Sequence, residues 1–367
     1  MINASAYEYA IYEGVCFETT SRLIHQAQVD FADDKAEDLN KVRSNLSARW
    51  TLIYQFSDIV VFLSLSIFPL FLDVNFENTV LGLTFLGVIT SALGCTFDPL
   101  GSTGAVMTGS EVYQSLLSVP QQFAQDARAT LIAPFVFGFG ITTAMFAYYV
   151  NGTITAKDSD DGFLYIGMLE AFSYLVAAVS AFPYAYVCNH YRGGSHIIMQ
   201  FGSFSYMLSG VLVLVLSARL LGRWYNILLI RFLYGLGRGV FEGACRAVYA
   251  ELFQGDSLST AFSAQTLLAG FSGGVCFFAY DHLTKTPIGL ITVLNGVLAL
   301  WSYALLTRQE DIHEPIRWRN LKLCPWLYYR RKDAAGDDSP RDSVQREQLY
   351  GDKITSPLLN IQGEIED

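Results

Sequence analysis

The segment with the most chemical potential runs from Trp224 to Phe253 and contains Arg231-Phe-Leu-Tyr-Gly235-Leu-Gly-Arg238-Gly239-Val-Phe-Glu242-Gly243-Ala-Cys-Arg246. Arg238, Glu242 and Arg246 recur at four-residue spacing, which on a helix makes a plus–minus–plus ladder of i,i+4 neighbours. Gly235, Gly239 and Gly243 repeat with the same spacing on an adjacent face, a small-residue stripe that lets another helix approach closely. The surroundings are apolar, and a single arginine or acid at the centre of a membrane helix costs roughly 2.5–3.5 kcal/mol. Such residues persist where they face a bundle interior or a wet cavity. The ladder therefore has two readings: a self-neutralised lock between helices, or a substrate or proton site at the membrane midplane.

Two further acids lie in or near apolar stretches. Asp58, near the start of the first stretch, reads as an acid that snorkels or caps its own helix. Glu170 follows the aromatic Phe163-Leu-Tyr165 in the outer half of its stretch, lies deeper than Asp58, and is the better candidate partner for an arginine on another helix and a further candidate for the site of Arg238 and Glu242. Pro134, Gly138 and Gly140 stand among Phe135, Phe137 and Phe139, and these are hinge candidates. A proline with two nearby glycines softens or kinks a helix, as in transporters that change shape. Gly270, Gly273 and Gly274 form a similar patch. Asn151-Gly152-Thr153 is a glycosylation sequon. Cys188-Asn-His190-Tyr-Arg192-Gly193-Gly194-Ser-His196 sets two histidines beside a cysteine without a further carboxylate or thiolate, and reads as a tight basic turn. The 6 cysteines are scattered singly, with neither metal-ligand nor redox spacing, so no metal, cofactor or disulfide framework is expected.

The elements that position these residues follow from composition. Apolar residues make up 52% of the 367 and charged residues 16%, against about 25% charged in soluble domains. The apolar residues are gathered into eight stretches, near 51–72, 79–97, 130–150, 163–187, 197–217, 225–246, 261–280 and 287–306. About 20 apolar residues cross a bilayer. The expected fold is therefore an all-α, polytopic membrane protein of about eight transmembrane helices, and a soluble enzyme is excluded. The expected order is a cytosolic arm (1–50), two spans (51–97), a Gly/Ser/Gln-rich cytosolic linker (98–129), six spans (130–306) and a cytosolic tail (307–367). The tail, basic and then acidic with Pro and Ser, reads as partly disordered.

Of the Lys and Arg residues near the spans, ten lie on the side of both termini and four on the other, which places both termini in the cytosol. The exception is the Arg219/Arg223 turn, which falls on the far side together with Asn151. The plasma membrane and internal membranes are not distinguished. The net charge of −10 and the absence of a basic patch exclude nucleic acid as a partner. The N-terminus lacks a basic region followed by an apolar run, so no signal peptide is expected.

Ala133-Pro134-Phe135 through Tyr149-Val150-Asn151-Gly152-Thr153, the run Tyr234 to Glu242, and the turn Asn189 to Gly194 together resemble the C-terminal half of major facilitator superfamily transporters. More closely, they resemble the uncoordinated-93-like branch of that superfamily. The resemblance covers residues 125–310. Superfamily members carry two six-span halves built from nested three-span repeats. The resemblance thus implies that 51–97 holds the last two spans of an N-terminal half whose first four spans are missing from this chain, either a shortened reading of a longer gene or a reduced eight-span relative. Asn189 replaces the acid of the superfamily's Gly/Asp/Arg turn motif, which weakens any gating role there. The implied function is secondary transport of an unknown small solute or ion through Arg238, Glu242 and Glu170. The branch also contains channel-regulating and receptor-escorting members. A non-transporting accessory or trafficking subunit with a membrane-protein client is the alternative. Neither is an enzyme.

Overall fold

Long apolar runs with few interior breaks fold as helices, because in lipid only a helix satisfies its own backbone groups within one segment. A computed structural model of the chain describes residues 48–67 other than 50, 53, 57 and 65, then 82, 119–153, 162–191, 193–253, 256–309 and 316. All of them belong to the unit Met1–Leu321. Nearly all of the expected arm, the stretch 79–97 apart from residue 82, the linker up to 118, and the tail after 309 apart from Ile316 lie outside the described residues.

The described residues are all-helical, with no strand. Helical residues between 48 and 67 form an upstream helix. Then come α1 (Ala127–Met145), a π-helical turn (Phe146–Val150), α2 (Gly162–His190), α3 (Gly194–Val215) and the short α4 (Ala218–Leu221). A continuous column follows, made of α5 (Trp224–Gly239), a second π segment (Val240–Cys245) and α6 (Arg246–Leu252), and the bundle closes with α7 (Asp256–Tyr280) and α8 (Lys285–Leu306). Five helices are long and apolar enough to cross a membrane: Ala127–Thr153, Tyr165–His190, Gly194–Val215, Thr260–Tyr280 and Lys285–Leu306. The chain is a multi-pass membrane protein. The column Trp224–Leu252 is not among the five, because three arginines and two glutamates dilute its apolar character.

The bundle is ordered around α1, 16 of whose 19 residues are buried. It packs against α7 and α8; α8 packs against α3, and α5 against α2 and α3. α1 begins three residues before the expected span. Asp126 caps it by accepting from the Arg128 amide at 3.0 Å, and the same carboxylate neutralises the Arg128 guanidinium at 2.6 Å. Arg128 Nη1 also donates to the Leu252 carbonyl at 2.6 Å, and its guanidinium lies over the Phe253 ring. A residue that looks too polar to bury is thus buried with its partners. Residues 119–125, expected as linker, are helical too. At the other end of the chain, the Ala127 amide donates to the Ile316 carbonyl at 2.8 Å, and the Ile316 amide to Asp126 at 3.3 Å. On the outward faces Phe271, Phe278, Leu294 and Trp301 are 59–65% exposed, bulky apolar surface suited to lipid.

Candidate functional site

The column α5–π–α6 carries its charges into the interior. Arg231 is 0% exposed, Arg238 2%, Glu242 0% and Arg246 3%. The i,i+4 ladder exists but is asymmetric. Glu242 Oε2 lies 2.6 Å from Arg246 Nη2, whereas its Oε1 lies 3.7 Å from Arg238 Nη2. Arg238 is drawn elsewhere. Its guanidinium is sandwiched between the rings of Tyr174, 4.1 Å away, and Phe139, 5.4 Å away. Its Nη1 donates to the Tyr234 hydroxyl at 3.3 Å, and that hydroxyl meets Thr143 Oγ1 at 2.9 Å. Its Nη2 stands 3.6 Å from Asp58 Oδ2.

Asp58 therefore does not act as the snorkelling or helix-capping acid that its position in the sequence conveys. It faces an arginine on another helix, because the upstream helix docks against the column. Thr51 Oγ1 on that helix donates to the Glu242 carbonyl at 3.0 Å.

A second ionic group surrounds Arg231, two turns earlier in α5. Arg231 Nη1 pairs with Glu170 Oε2 at 2.6 Å, its Nη2 donates to Asn151 Oδ1, and its guanidinium lies over the Phe146 ring at 4.9 Å. Asn151 Nδ2 in turn donates to Glu170 Oε1 at 3.3 Å. Among the described residues Glu170 thus takes an arginine from another helix, but it is Arg231 rather than Arg238. Arg231 and Asn151 are the members that sequence reasoning left out. Arg231 had a usable signal: it precedes Arg238 by seven residues, two helical turns, and so shares its face. Asn151 had none beyond its sequon. Both π segments deliver members of these groups, since Phe146–Val150 ends beside Asn151 and Val240–Cys245 contains Glu242. Single π turns inside α-helices recur at functional sites.

No protein-family model, curated protein or solved structure matches this chain. Its functional reading rests on its own residues.

The glycine stripe marks where α5 meets its neighbours. A Cβ on Gly235 would stand 2.5 Å from the Ser173 carbonyl, and one on Gly239 would strike Ser180 Oγ and the Ala177 carbonyl, all on α2. Gly243 faces Thr51 instead, with a looser 3.4 Å approach. This closeness brings Glu170 and Tyr174 of α2 against the arginines. The hinge candidates are also packing positions. α1 continues through Pro134, whose carbonyl accepts from Asn295 Nδ2 at 3.0 Å; Gly138 abuts that same amide, and Gly140 abuts Ser272 and Gly273 on α7. Gly270 and Gly274 face open space. In the turn after α2, Gly193 adopts φ +75°, a left-handed conformation that favours glycine. The histidines there have local uses: His190 Nδ1 lies 2.9 Å from the Tyr186 carbonyl and His196 Nδ1 3.0 Å from the Tyr303 hydroxyl.

Taken together, three arginines (Arg231, Arg238, Arg246) meet three carboxylates (Asp58, Glu170, Glu242). Two contacts are close ion pairs at 2.6 Å, and two, both to Arg238, are longer than the ~2.7–2.9 Å of a charge-assisted hydrogen bond.

Proposed function

We propose that the protein is a secondary-transporter-like membrane protein that handles a small solute or ion at Arg238, with Glu242 and Asp58 as its exchanging carboxylates. In this reading the column Trp224–Leu252 crosses the membrane with the five apolar helices, giving a six-helix bundle like a facilitator-superfamily C-terminal half, with both termini cytosolic. One observation carries it. Arg238 is held between acids on two different helices, at 3.6 and 3.7 Å, and bonded closely to neither. A cation so placed can change partners when the helices move or when a solute anion enters, whereas a structural lock is best served by close pairs such as Glu242–Arg246. Glu170 then belongs to a clamp through Arg231 and acts beside the site, not in it.

The second reading is the accessory or trafficking subunit. It is favoured by the charge balance, because among the described residues the network has equal numbers of acids and arginines and needs no solute to be neutral.

A single preparation separates the two. Purified full-length chain is heated in the presence of panels of amino acids, organic acids, sugars, nucleosides and inorganic ions, and the surviving monodisperse fraction is measured. A ligand at 100 times its Kd stabilises the folded state by about 2.7 kcal/mol. The transporter reading expects at least one solute to protect the parent, and the Asp58→Met/Arg238→Met double variant, which leaves the close Glu242–Arg246 pair intact, to elute normally yet lose that protection. A well-folded double variant with unchanged protection removes these residues from the site. If no solute protects the parent and the double variant still co-purifies with the same membrane partner, the accessory reading replaces it.

A further inference from the structure

The buried network does not absorb the Arg219/Arg223 turn, which is basic on the side where the Lys/Arg balance disfavours it. Arg223 Nη1 donates to the Tyr225 hydroxyl at 3.0 Å. Arg219, on α4, is exposed and makes no hydrogen bond or ion pair among the described residues. It opens onto a cleft of about 680 Å3 between the end of the α1 column and the α3–α5 connection. Tyr148, Tyr149, Gly152 and Thr153 line one wall, and Arg219 and Gly222 the other. The other charges nearby are occupied. Asp281 accepts from the Tyr148 hydroxyl at 3.1 Å, and Lys285 donates to the Leu216 carbonyl. Arg219 is left as the free cation of the cleft among the described residues.

The depth of the cleft is set by its aromatic surroundings. Tyr165 packs edge-on against Trp224 at 5.0 Å, and Tyr225 is 59% exposed. Together with Tyr148 and Tyr149 they gather tyrosine and tryptophan at one end of the bundle, as happens at the headgroup level of a bilayer. The volume falls within the roughly 300–1,000 Å3 of small-ligand sites.

We propose that this cleft binds a phosphate-bearing anion, its charge gripped by the planar fork of Arg219 and its apolar part lying on the Tyr148 and Tyr149 rings. An exposed arginine beside a cleft it does not fill supplies what such a ligand needs, a planar fork of donors for the phosphate oxygens. A phospholipid headgroup and a soluble phosphate ester share that chemistry. The site is independent of the transport reading.

The test uses purified full-length chain and two probes. In the first arm, native mass spectrometry measures retention of phosphatidylglycerol against an equal amount of phosphatidylcholine. In the second, glycerol 3-phosphate is titrated against the protein in a neutral detergent. Both arms compare the parent with Arg219→Gln, Arg219→Lys and Gly152→Leu. Neither position endangers the fold: Arg219 is exposed and unbonded, and a Cβ at Gly152 meets no atom within 4 Å. One basic residue near an anionic group is worth about fivefold in occupancy. Arg219→Gln is expected to lower binding about fivefold, Arg219→Lys to keep only part of it because lysine keeps the charge but not the fork, and Gly152→Leu to weaken it by intruding from the Tyr148–Thr153 wall. This pattern with phosphatidylglycerol identifies a headgroup, and with glycerol 3-phosphate a soluble ester. Binding of either probe that is unchanged by both Arg219→Gln and Gly152→Leu overturns the proposal, as does failure of the monodisperse parent to bind either.

Discussion

Replacing Glu170 by Gln probes the clamp that ties α2 and α5 to the end of α1. Arg231 is 0% exposed, and its partners are Glu170 at 2.6 Å, the Asn151 carbonyl oxygen and the Phe146 ring. The substitution keeps the shape and deletes the only carboxylate against that guanidinium among the described residues. Breaking a fully buried pair costs about 3–5 kcal/mol. Two features lower that figure here. Glu170 retains 15% side-chain exposure, so water screens part of the attraction, and the Asn151 oxygen and the Phe146 face remain to hold the cation. The expected loss is about 2–3 kcal/mol, or roughly 30- to 150-fold in the folded-to-unfolded ratio. The assay is the fraction of detergent-solubilised protein that elutes as a single peak after graded heating. Glu170→Gln should lower the midpoint clearly, and Arg231→Met with Glu170→Met should recover most of the loss, because a well-packed apolar pair tolerates burial. A Glu170→Gln protein as heat-resistant as the parent would refute the clamp, and so would a double variant no better than the single.

Three further outcomes are expected. Gly239→Leu forces a side chain into Ser180 and the Ala177 carbonyl and should cost about 1–3 kcal/mol, whereas Gly270→Leu, with nothing within 4 Å of its Cβ, should leave elution and heat resistance unchanged. Asn151 engages Glu170 through its side-chain nitrogen and Arg231 through its side-chain oxygen, contacts that a sugar on that nitrogen would crowd, so protein from a glycosylating host should show no mass shift at Asn151 after glycosidase treatment; Asn151→Leu should cost about 1.5–3 kcal/mol by removing hydrogen bonds to charged groups. Asp126→Ala should speed hydrogen exchange at the Ile316 amide at least tenfold by removing the carboxylate that receives it.

Helix positions were legible because apolar length is a local property. The stretches expected at 163–187, 261–280 and 287–306 fall within helices whose ends differ by a few residues. The start of α1 was not legible, since Ala127-Arg128-Ala129 becomes burial-competent only through Asp126, Leu252 and Phe253. The ladder spacing was visible, but its asymmetry was not. That asymmetry comes from Tyr174, Phe139 and Asp58 on other helices, and partner choice across a bundle leaves no periodic trace. Asp58 and Glu170 illustrate the point together. Both are lone acids in apolar surroundings, and only the docking of their helices decides that each meets a different arginine.

The distribution of charge along the chain also bears on how the protein is made. At roughly 2.5–3.5 kcal/mol for each arginine at a helix centre, the column Trp224–Leu252 is a poor candidate for entering lipid by itself. Two of its arginines find their acids on helices that leave the ribosome earlier: Asp58 on the upstream helix and Glu170 on α2. Glu242 is delivered with the column and serves Arg246 at once. Synthesis from the N-terminus therefore lays down the external counter-charges first. Glu170 is laid down before Arg231, so the incoming helix meets a prepared berth.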